Sequence, residues 1–420
     1  MKKILLPLLL LVLFLPSIPA ASAKARQVDD YHWTGVDRVV AIGDIHGDYE
    51  NYIVALEAAG LVDRKGKWTG GETHLVQTGD IPDRGPDTVK IIEHLDKLAK
   101  QAKKKGGQVH SLIGNHEAMN VYGDLRYVDD GEFAAFAGRN SETLLDRYYD
   151  LVMQNLRENN PEAFLALPEN YREEWNKTHP PGWVEHRQAW DPKWNPEGEL
   201  AKRTINNKVA IQINDMVFLH GGLSGKYCQN SLESLTEQAR SRLENYDPAN
   251  PGILEDPYGP LWYRGLSGAA PEASTETVAA ILNTHQAKHI VVGHTPTGGA
   301  IFTRYDGAVI QIDTGLSKAY GGHPAFLEVT PEGKFAGYPA GKLALPASDA
   351  DRPAYLQKVI ALYPANGDLK ILLEKITSPP PEPVAAPEPA AGSATGEQAA
   401  GEENPPAAPV TQIPTCGISQ

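Results

Sequence analysis

The chain has 420 residues, of which 41% are hydrophobic and 22% are charged, and its formal net charge is −14. This length and apolar content are sufficient for one large globular domain or for two ordinary ones. An acidic protein with a pI of about 5.4 is a poor general binder of nucleic acids, because contacts to phosphates need clustered Lys and Arg, so we expect no nucleic-acid partner.

Residues 1–23 have the features of a secretory signal peptide. Lys2 and Lys3 precede the almost wholly apolar run 4–18, and Ala21-Ser22-Ala23 is a small-residue cleavage site. The apolar run is too short for a comfortable membrane span, and no cysteine follows it to carry a lipid. We therefore predict cleavage after about Ala23, with an uncleaved N-terminal anchor as the alternative.

Cleavage there would remove two lysines and change the formal net charge from −14 to −16. The mature protein would then be periplasmic or secreted, with no stable membrane insertion.

Between residues 24 and 377 the sequence alternates strand-like and helix-like runs, which predicts an α/β domain whose motifs lie between about 36 and 329. Helical spacing of apolar residues follows residue 47 and Pro86, and returns over 232–243 and 275–282. The predicted strands are 38–42, 73–78, 109–113, 209–213, 216–219, 289–292, 301–305, 308–312 and 326–329. We expect two hairpins, 209–219 and 301–312, and we expect 326–329 to join the sheet of the second hairpin.

The segment from about 132 to 203 departs from this alternation. Apolar residues at helical spacing between 144 and 156 and four tryptophans after them predict a mostly helical insertion over the main sheet, without a core of its own. Its role is left open between a lid over a functional site and an ordinary packed excursion.

Residues 378–420 contain ten prolines and no Lys or Arg, which predicts a disordered tail that serves as a spacer. Docking of a partner is the alternative role. An oxidising compartment would permit a disulfide between Cys228 and Cys416, but the position of Cys416 in this tail argues against that bond.

Five segments repeat one pattern, in which an apolar strand is followed at once by Gly and a side chain that can bind a metal ion. They are Gly43-Asp44-Ile45-His46-Gly47, Gly79-Asp80, Gly114-Asn115-His116-Glu117, His220-Gly221-Gly222 and Gly293-His294. A single His at a strand end is more often structural, but five such segments in one chain argue against coincidence. Because α/β sheets place their sites at strand ends, we expect these side chains to converge.

The ligand types of these segments indicate the chemistry. Carboxylates, an amide oxygen and imidazoles suit Mn, Fe or Zn, and without thiolates they do not form a structural zinc site. Two carboxylates, one amide oxygen and three imidazoles make six ligands, whereas one closed tetrahedral site uses four. The six groups therefore predict two metal ions, or one ion with spare groups. Two ions about 3.5–4 Å apart need a bridging carboxylate, and Asp80 is the natural candidate.

Together with Gly79-Asp80-Ile81-Pro82-Asp83-Arg84-Gly85, these segments resemble the calcineurin-like metallophosphoesterases. Within that family the series is similar to the phosphoprotein phosphatase type, and most of all to the bacterial Shewanella-like protein phosphatases. The resemblance covers about residues 36–329 and implies a four-layer α-β-β-α sandwich with two metal ions at its strand ends. It also implies hydrolysis of phosphoprotein or small phosphomonoester substrates, with phosphotyrosine favoured over phosphoserine and phosphothreonine.

The resemblance also implies roles for individual residues. A hydroxide bridging the two metal ions would attack phosphorus in line with the leaving oxygen. The first ion would be held by Asp44, His46 and Asp80, and the second by Asp80, Asn115, His220 and His294.

Four further residues would act on the substrate. Arg84 and Arg264, the latter in Leu261-Trp262-Tyr263-Arg264-Gly265, would bind the phosphoryl oxygens through their planar guanidinium groups. His116 would donate a proton to the leaving oxygen, and Asp83 would orient this imidazole. A structural arginine beneath the neighbouring aromatic pair is the alternative for Arg264.

Some positions depart from the family pattern. Pro82 stands where eukaryotic relatives usually carry an aliphatic residue, and this fits a rigid turn. His294 is followed by Thr-Pro, without the second histidine of many distant relatives, so the first metal ion would have only three protein ligands. Tyr320 is a candidate substrate contact, because it lies in the region where eukaryotic relatives carry an aromatic residue over the site.

Two other functions are consistent with the sequence. The run Asp83-Arg84-Gly85-Pro86-Asp87 also resembles the turn of dinucleoside tetraphosphate hydrolases. Export argues against that activity, because such nucleotides are cytoplasmic. A catalytically silent binding protein on the same fold is the other alternative.

Overall fold

Two β-sheets form the centre of the structure, a computed structural model that describes residues 26–378 and Cys416. The predicted signal peptide lies outside the described residues, and so does the predicted tail apart from Ser378 and Cys416.

The strands of the described residues are short, with two to six residues each. In chain order they are β1 Arg26–Gln27, β2 His32–Thr34, β3 Val39–Ile42, β4 His74–Gln77, β5 Gln108–Ser111, β6 Ala210–Ile213, β7 Met216–Leu219, β8 His289–Val292, β9 Phe302–Arg304, β10 Val309–Gln311, β11 Phe326–Thr330, β12 Gly333–Tyr338 and β13 Gly341–Ala344.

The α-helices of the same residues vary more in length. They are α1 Tyr49–Ala58, α2 Thr88–Lys103, α3 Asn115–Tyr122, α4 Asp130–Phe136, α5 Ser141–Asn159, α6 Pro161–Leu165, α7 Tyr171–Thr178, α8 Trp183–Trp190, α9 Glu199–Asn206, α10 Leu232–Glu244, α11 Thr275–His285, α12 Arg352–Leu362 and α13 Gly367–Thr377. Within the described part of the chain, no helix is both long and apolar enough to span a membrane.

Parallel pairing brings the functional strand ends to one edge of each sheet. The six-stranded sheet has the order β13-β12-β11-β3-β4-β5, and β3, β4 and β5 run parallel. The seven-stranded sheet has the order β1-β2-β6-β7-β8-β10-β9, and β7, β8 and β10 run parallel. Since parallel strands point their carboxyl ends the same way, the loops after β3, β4 and β5 lie side by side, as do those after β7 and β8.

Alternating side chains build the layers of the fold. Val39 and Ala41 of β3 belong to a hydrophobic cluster with Phe218 of β7, between the two sheets. Val40 and Ile42, the intervening residues, belong to the cluster that includes the buried faces of α1 and α2. Both faces of the strand are therefore buried, which explains its unbroken apolar sequence. The predicted α-β-β-α sandwich is confirmed.

The segment between α3 and β6 is helical, as the sequence predicts, and contains α4 to α9. It has a small hydrophobic cluster around Leu145, Trp175 and Val184, which the sequence did not predict. The fully buried Trp190 joins the segment to the main core.

The predicted pairing of the strand near residue 326 is wrong. β11 lies antiparallel to β3 in the six-stranded sheet, with Leu327 opposite Ala41, and does not join β9 and β10. The loop before β11 crosses from one sheet to the other, and it is hydrogen-bonded to side chains at the start of α1. Asp48 accepts the backbone N–H of Lys318 at 2.9 Å, and Asn51 donates to the Leu316 carbonyl at 3.0 Å.

The expectation against a disulfide is also wrong. Cys228 and Cys416 form a disulfide across a sequence separation of 188 residues. Cys416 packs against the same hydrophobic cluster that buries Cys228. Composition around Cys416 gave no sign of this contact, and sequence distance is a weak barrier because loop-closure entropy grows only logarithmically with length.

Candidate metal centre

The strand-end loops of the two sheets meet and are hydrogen-bonded to one another. His294 follows β8, and its backbone N–H donates at 3.0 Å to Oδ1 of Asp44, which follows β3. His220 Nδ1, after β7, lies 3.1 Å from the carbonyl oxygen of Thr78, after β4. These contacts fix the relative positions of ligand-type side chains from both sheets.

Four electron-pair donors face one another around His220. Because the Thr78 carbonyl can only accept, His220 Nδ1 carries the hydrogen and Nε2 has the lone pair. Its Nε2 lies 2.9 Å from Asn115 Oδ1, 3.0 Å from His294 Nδ1 and 3.3 Å from Asp80 Oδ2.

The hydrogen of His294 is also assigned by its neighbours. Nε2 lies 3.2 Å from the Trp262 carbonyl, so Nδ1 presents a lone pair to His220. Two imidazole nitrogens, an amide oxygen and a carboxylate oxygen therefore converge without a hydrogen between them. This buried arrangement is repulsive by itself and fits a divalent cation, which the lone pairs would coordinate.

A second group of ligand atoms also includes Asp80. His46 Nδ1 lies 3.1 Å from the Pro82 carbonyl, which leaves the Nε2 lone pair facing the carboxylates. Nε2 is 3.8 Å from Asp80 Oδ2 and 4.0 Å from Asp44 Oδ2. Ligand atoms of His46, Asp80 and His116 all lie within 4.8 Å of one another, as do those of Asp80, His220 and His294. Asp80 therefore belongs to both groups.

Burial shapes the electrostatics of the centre. Burial and the neighbouring Asp313 and Asp80 carboxylates raise the pKa of Asp44 well above its usual range. Burial and then the nearby His116 lower the pKa of His46 to about 4, so its imidazole is neutral at neutral pH. Neutral imidazoles and crowded carboxylates are the protonation pattern that a metal ion stabilises.

The loop after β4 adopts a backbone conformation that most residues avoid. Asp80, Asp83 and Arg84 have φ angles of 59°, 72° and 64°, and His46 and His294 are also left-handed. For residues other than glycine this costs roughly 1–2 kcal/mol each. Such strain persists only where surrounding contacts hold it, and it is concentrated here among the predicted site residues.

Glu117 is one of the residues that hold this loop. Its carboxylate accepts the backbone N–H groups of Asp80, Ile81 and Gly114 at 2.9, 2.8 and 2.8 Å. A side chain at Gly114 would clash, since its Cβ would lie 2.1 Å from Asp80 Oδ1. Sequence reasoning assigned Glu117 no role, although a Glu at the third position of a helix is a known capping signal.

His116 and Asp83 form the predicted pair. Asp83 Oδ2 lies 2.5 Å from His116 Nδ1, and Asp83 Oδ1 accepts from Asn120 Nδ2 at 2.9 Å. The backbone N–H of His116 also donates to Asp80 Oδ1 at 3.0 Å. Both members of the pair are buried, and His116 Nε2 lies 3.8 Å from Asp80 Oδ2.

Two tyrosine rings lie near Arg84. Its guanidinium carbon lies 4.0 Å from the ring centre of Tyr127 and 5.7 Å from that of Tyr320. The Tyr127 ring lies 5.2 Å from the His116 ring, and the Tyr320 ring lies 5.1 Å from the His46 ring. The structure therefore places Tyr320 beside the centre, and it adds Tyr127, which the sequence did not single out.

Arg264, in the segment between α10 and α11, also borders the centre. Its guanidinium donates to the carbonyl oxygen of His294 and lies 3.4 Å from Thr295 Oγ1. All ten predicted ligand and substrate-binding residues are therefore brought to one region.

Residues 37–298 match the model of the calcineurin-like phosphoesterase family. The chain belongs to this family. Family membership confirms the resemblance and, with the relatives below, makes the chain a metal-dependent phosphoric ester hydrolase of the protein phosphatase type.

Relatives of similar length support this placement. The chain is 32% identical over 341 residues to Shewanella-like protein phosphatase 2 of Arabidopsis thaliana, covering 76% of this chain and 80% of the relative. It is 34% identical over 302 residues to an uncharacterized protein of Schizosaccharomyces pombe, covering 70% and 77%. The solved structure of a cold-active protein-tyrosine phosphatase from a psychrophilic Shewanella species has a TM-score of 0.55 and 26% identity, covering 76% of this chain and 83% of that one.

Proposed function

We propose that this protein is an exported phosphatase that uses two metal ions and acts on phosphoproteins, with phosphotyrosine as the preferred residue. The observation that carries this proposal is the buried carboxylate of Asp80, which is shared by two groups of ligand atoms. A shared carboxylate is the feature that a pair of closely spaced metal ions requires.

The ligands follow from the two groups around Asp80. When bound, Mn, Fe or Zn ions supply Lewis acidity and lower the pKa of coordinated water. Asp44, His46 and Asp80 would hold one ion, and Asp80, Asn115, His220 and His294 would hold the other. His46 and His220 are oriented for this role by the carbonyl groups that accept from their Nδ1–H.

The remaining residues of the site act on the phosphate ester. His116 would hold a proton at Nε2 for the leaving oxygen, while Asp83 accepts from Nδ1–H and fixes the ring. Arg84 and Arg264 would present N–H groups to the phosphoryl oxygens and stabilise their charge.

Two observations favour phosphotyrosine. The rings of Tyr127 and Tyr320 lie near Arg84, so an aryl group whose phosphate is bound by Arg84 would lie close to aromatic side chains. The similar Shewanella structure is that of a protein-tyrosine phosphatase.

Export is supported by the N-terminal sequence and by the disulfide between Cys228 and Cys416. Disulfides persist in oxidising compartments, which include the periplasm and the extracellular space.

The proposal is tested by stripping the metal from the mature protein and restoring Mn, Zn or Mg singly. We expect turnover of p-nitrophenyl phosphate to disappear and return, and phosphotyrosine peptides to be hydrolysed faster than phosphoserine or phosphothreonine peptides. Diadenosine tetraphosphate belongs in the same panel. Its faster turnover would replace the proposal with the nucleotide hydrolase, and bound metal without hydrolysis of any ester would indicate a binding protein.

Arg84→Ala should lower kcat/KM by about 10²–10³-fold, the loss typical of one donor to a developing anion. Metal content should not change, because the guanidinium contacts tyrosine rings and is not one of the ligand groups. Inhibition by inorganic phosphate should weaken in parallel. Arg64→Ala, at an exposed position, is the matched control. Loss of metal from Arg84→Ala would show that the role assigned to this residue is wrong.

A further inference from the structure

Glu132 is a fully buried carboxylate at the start of the helical insertion, outside all of the sequence motifs. Its Oε2 accepts the backbone N–H of Asp83 at 3.1 Å and the hydroxyl of Thr88 at 2.6 Å. Its Oε1 lies 3.4 Å from His186 Nε2. One side chain of the insertion therefore bonds directly to the loop that carries the proposed acid pair.

The backbone that is hydrogen-bonded to Glu132 is the strained part of that loop. Asp83 and Arg84 are consecutive left-handed residues, with φ angles of 72° and 64°. Neither is a glycine, so the conformation depends on contacts that hold it. Glu132 accepts the N–H of Asp83, and the carbonyl of Tyr127 accepts the N–H of Arg84 at 2.9 Å. Tyr127 lies in the loop after α3, and Glu132 lies in the first turn of α4.

This conformation determines where two functional side chains point. Asp83 directs its carboxylate to His116 Nδ1, and Arg84 places its guanidinium over the Tyr127 ring. Because the two residues are adjacent, rotation of the peptide between them would move both side chains together.

The insertion in turn fixes Glu132. His186 of α8 is buried, and its ring lies 5.1 Å from Phe133 and 5.0 Å from Phe136, both in α4. The imidazole therefore has little freedom to leave the carboxylate. Through Glu132, the insertion therefore contacts the loop that carries Asp83 and Arg84.

We propose that Glu132 is a positioning residue for the phosphatase reaction, which sets the orientation of Asp83 and Arg84 by holding the Asp83 backbone. The inference rests on the proposed function, because it assigns Glu132 to the acid pair of that reaction. Both hydrogens reach the same carboxylate oxygen, Oε2. An alanine offers no acceptor there, whereas a glutamine keeps a carbonyl oxygen with two lone pairs but loses the negative charge.

The test compares Glu132→Ala and Glu132→Gln with Asp83→Asn, using p-nitrophenyl phosphate and phenyl phosphate. We expect Glu132→Ala to lower kcat by about 10–100-fold, the range for residues that orient catalytic groups. The loss should be larger for phenyl phosphate, whose leaving oxygen needs a proton more, and metal content should stay at the wild-type value. Glu132→Gln should restore part of the rate.

A double-mutant cycle separates positioning from general stability. If Glu132 acts through Asp83, Glu132→Ala should add little to the effect of Asp83→Asn. Thr88→Val, which removes another bond to the same carboxylate and leaves the Asp83 bond, should keep nearly the full rate and is the matched control. If Glu132→Ala does not fold, the same cycle can be measured with Glu132→Gln, for which a smaller decrease in kcat is expected.

Two results would overturn the inference. One is a lowered melting temperature with wild-type kcat and leaving-group dependence in the folded variant. The other is fully additive effects in the cycle. Failure of the proposed function is distinguishable, because the wild-type protein itself would then show no metal-dependent hydrolysis of either substrate.

Discussion

Asp80→Asn should reduce metal-dependent turnover by about 10³-fold or more, on the order of the largest losses for a single charged or dipolar group in a buried site. Asp80 Oδ2 lies 3.3 Å from His220 Nε2 and 3.8 Å from His46 Nε2, so one oxygen faces both groups of ligand atoms. An amide keeps the shape of the side chain and loses the negative charge that would balance two dications.

Metal analysis of purified Asp80→Asn should show less than the wild-type content, and thermal unfolding should show that the variant is folded. Asp150→Asn, on an exposed position of α5, makes the same chemical change far from the motifs and should behave as wild type. Wild-type turnover in Asp80→Asn would refute the shared role of this carboxylate and the two-metal proposal with it.

His116→Asn should lower kcat by about 10²–10⁴-fold, the usual contribution of a general acid. The physical reason is its fixed geometry, since Nδ1 is bonded to Asp83 at 2.5 Å and Nε2 remains to serve the leaving oxygen. The loss should be smallest for p-nitrophenyl phosphate and larger for phenyl phosphate and phosphoserine peptides, because poorer leaving groups depend more on protonation.

The structure allows a second role for His116, and the same experiment tests it. Its imidazole belongs to a group of ligand atoms with His46 and Asp80 that all lie within 4.8 Å of one another. If His116 is only the general acid, His116→Asn should keep its metal. If His116 is also a ligand, the variant should lose metal. His32→Asn, on a partly exposed strand, is the control and should change neither rate nor metal content.

The strand-end motifs could be predicted because the information in them is local. An apolar strand buried on both faces reads as a short unbroken run, and Gly with a metal-capable side chain follows at once. The convergence of Asp44, Asp80 and Asn115 then follows from parallel pairing, which carries successive strand ends to one edge. The structure brings His220 and His294 to these residues from the other sheet.

Features that depend on distant partners were missed or mistaken. β11 pairs with β3 because a loop crosses between the sheets, while the sequence favoured its nearest hairpin. Cys416 reaches Cys228 although its neighbours in sequence are those of a spacer.

Local sequence patterns specify the layered α/β fold, the positions of most strands and the set of ligand-type residues, because burial and turn chemistry are recorded in short runs. The contacts that hold the loop from Asp80 to Arg84 arise only when distant segments pack together. Its left-handed residues are stabilised by Glu117 and Glu132, which lie in later elements of the chain. No local pattern specifies a bond of that kind, since its energy depends on where two separate segments meet after folding.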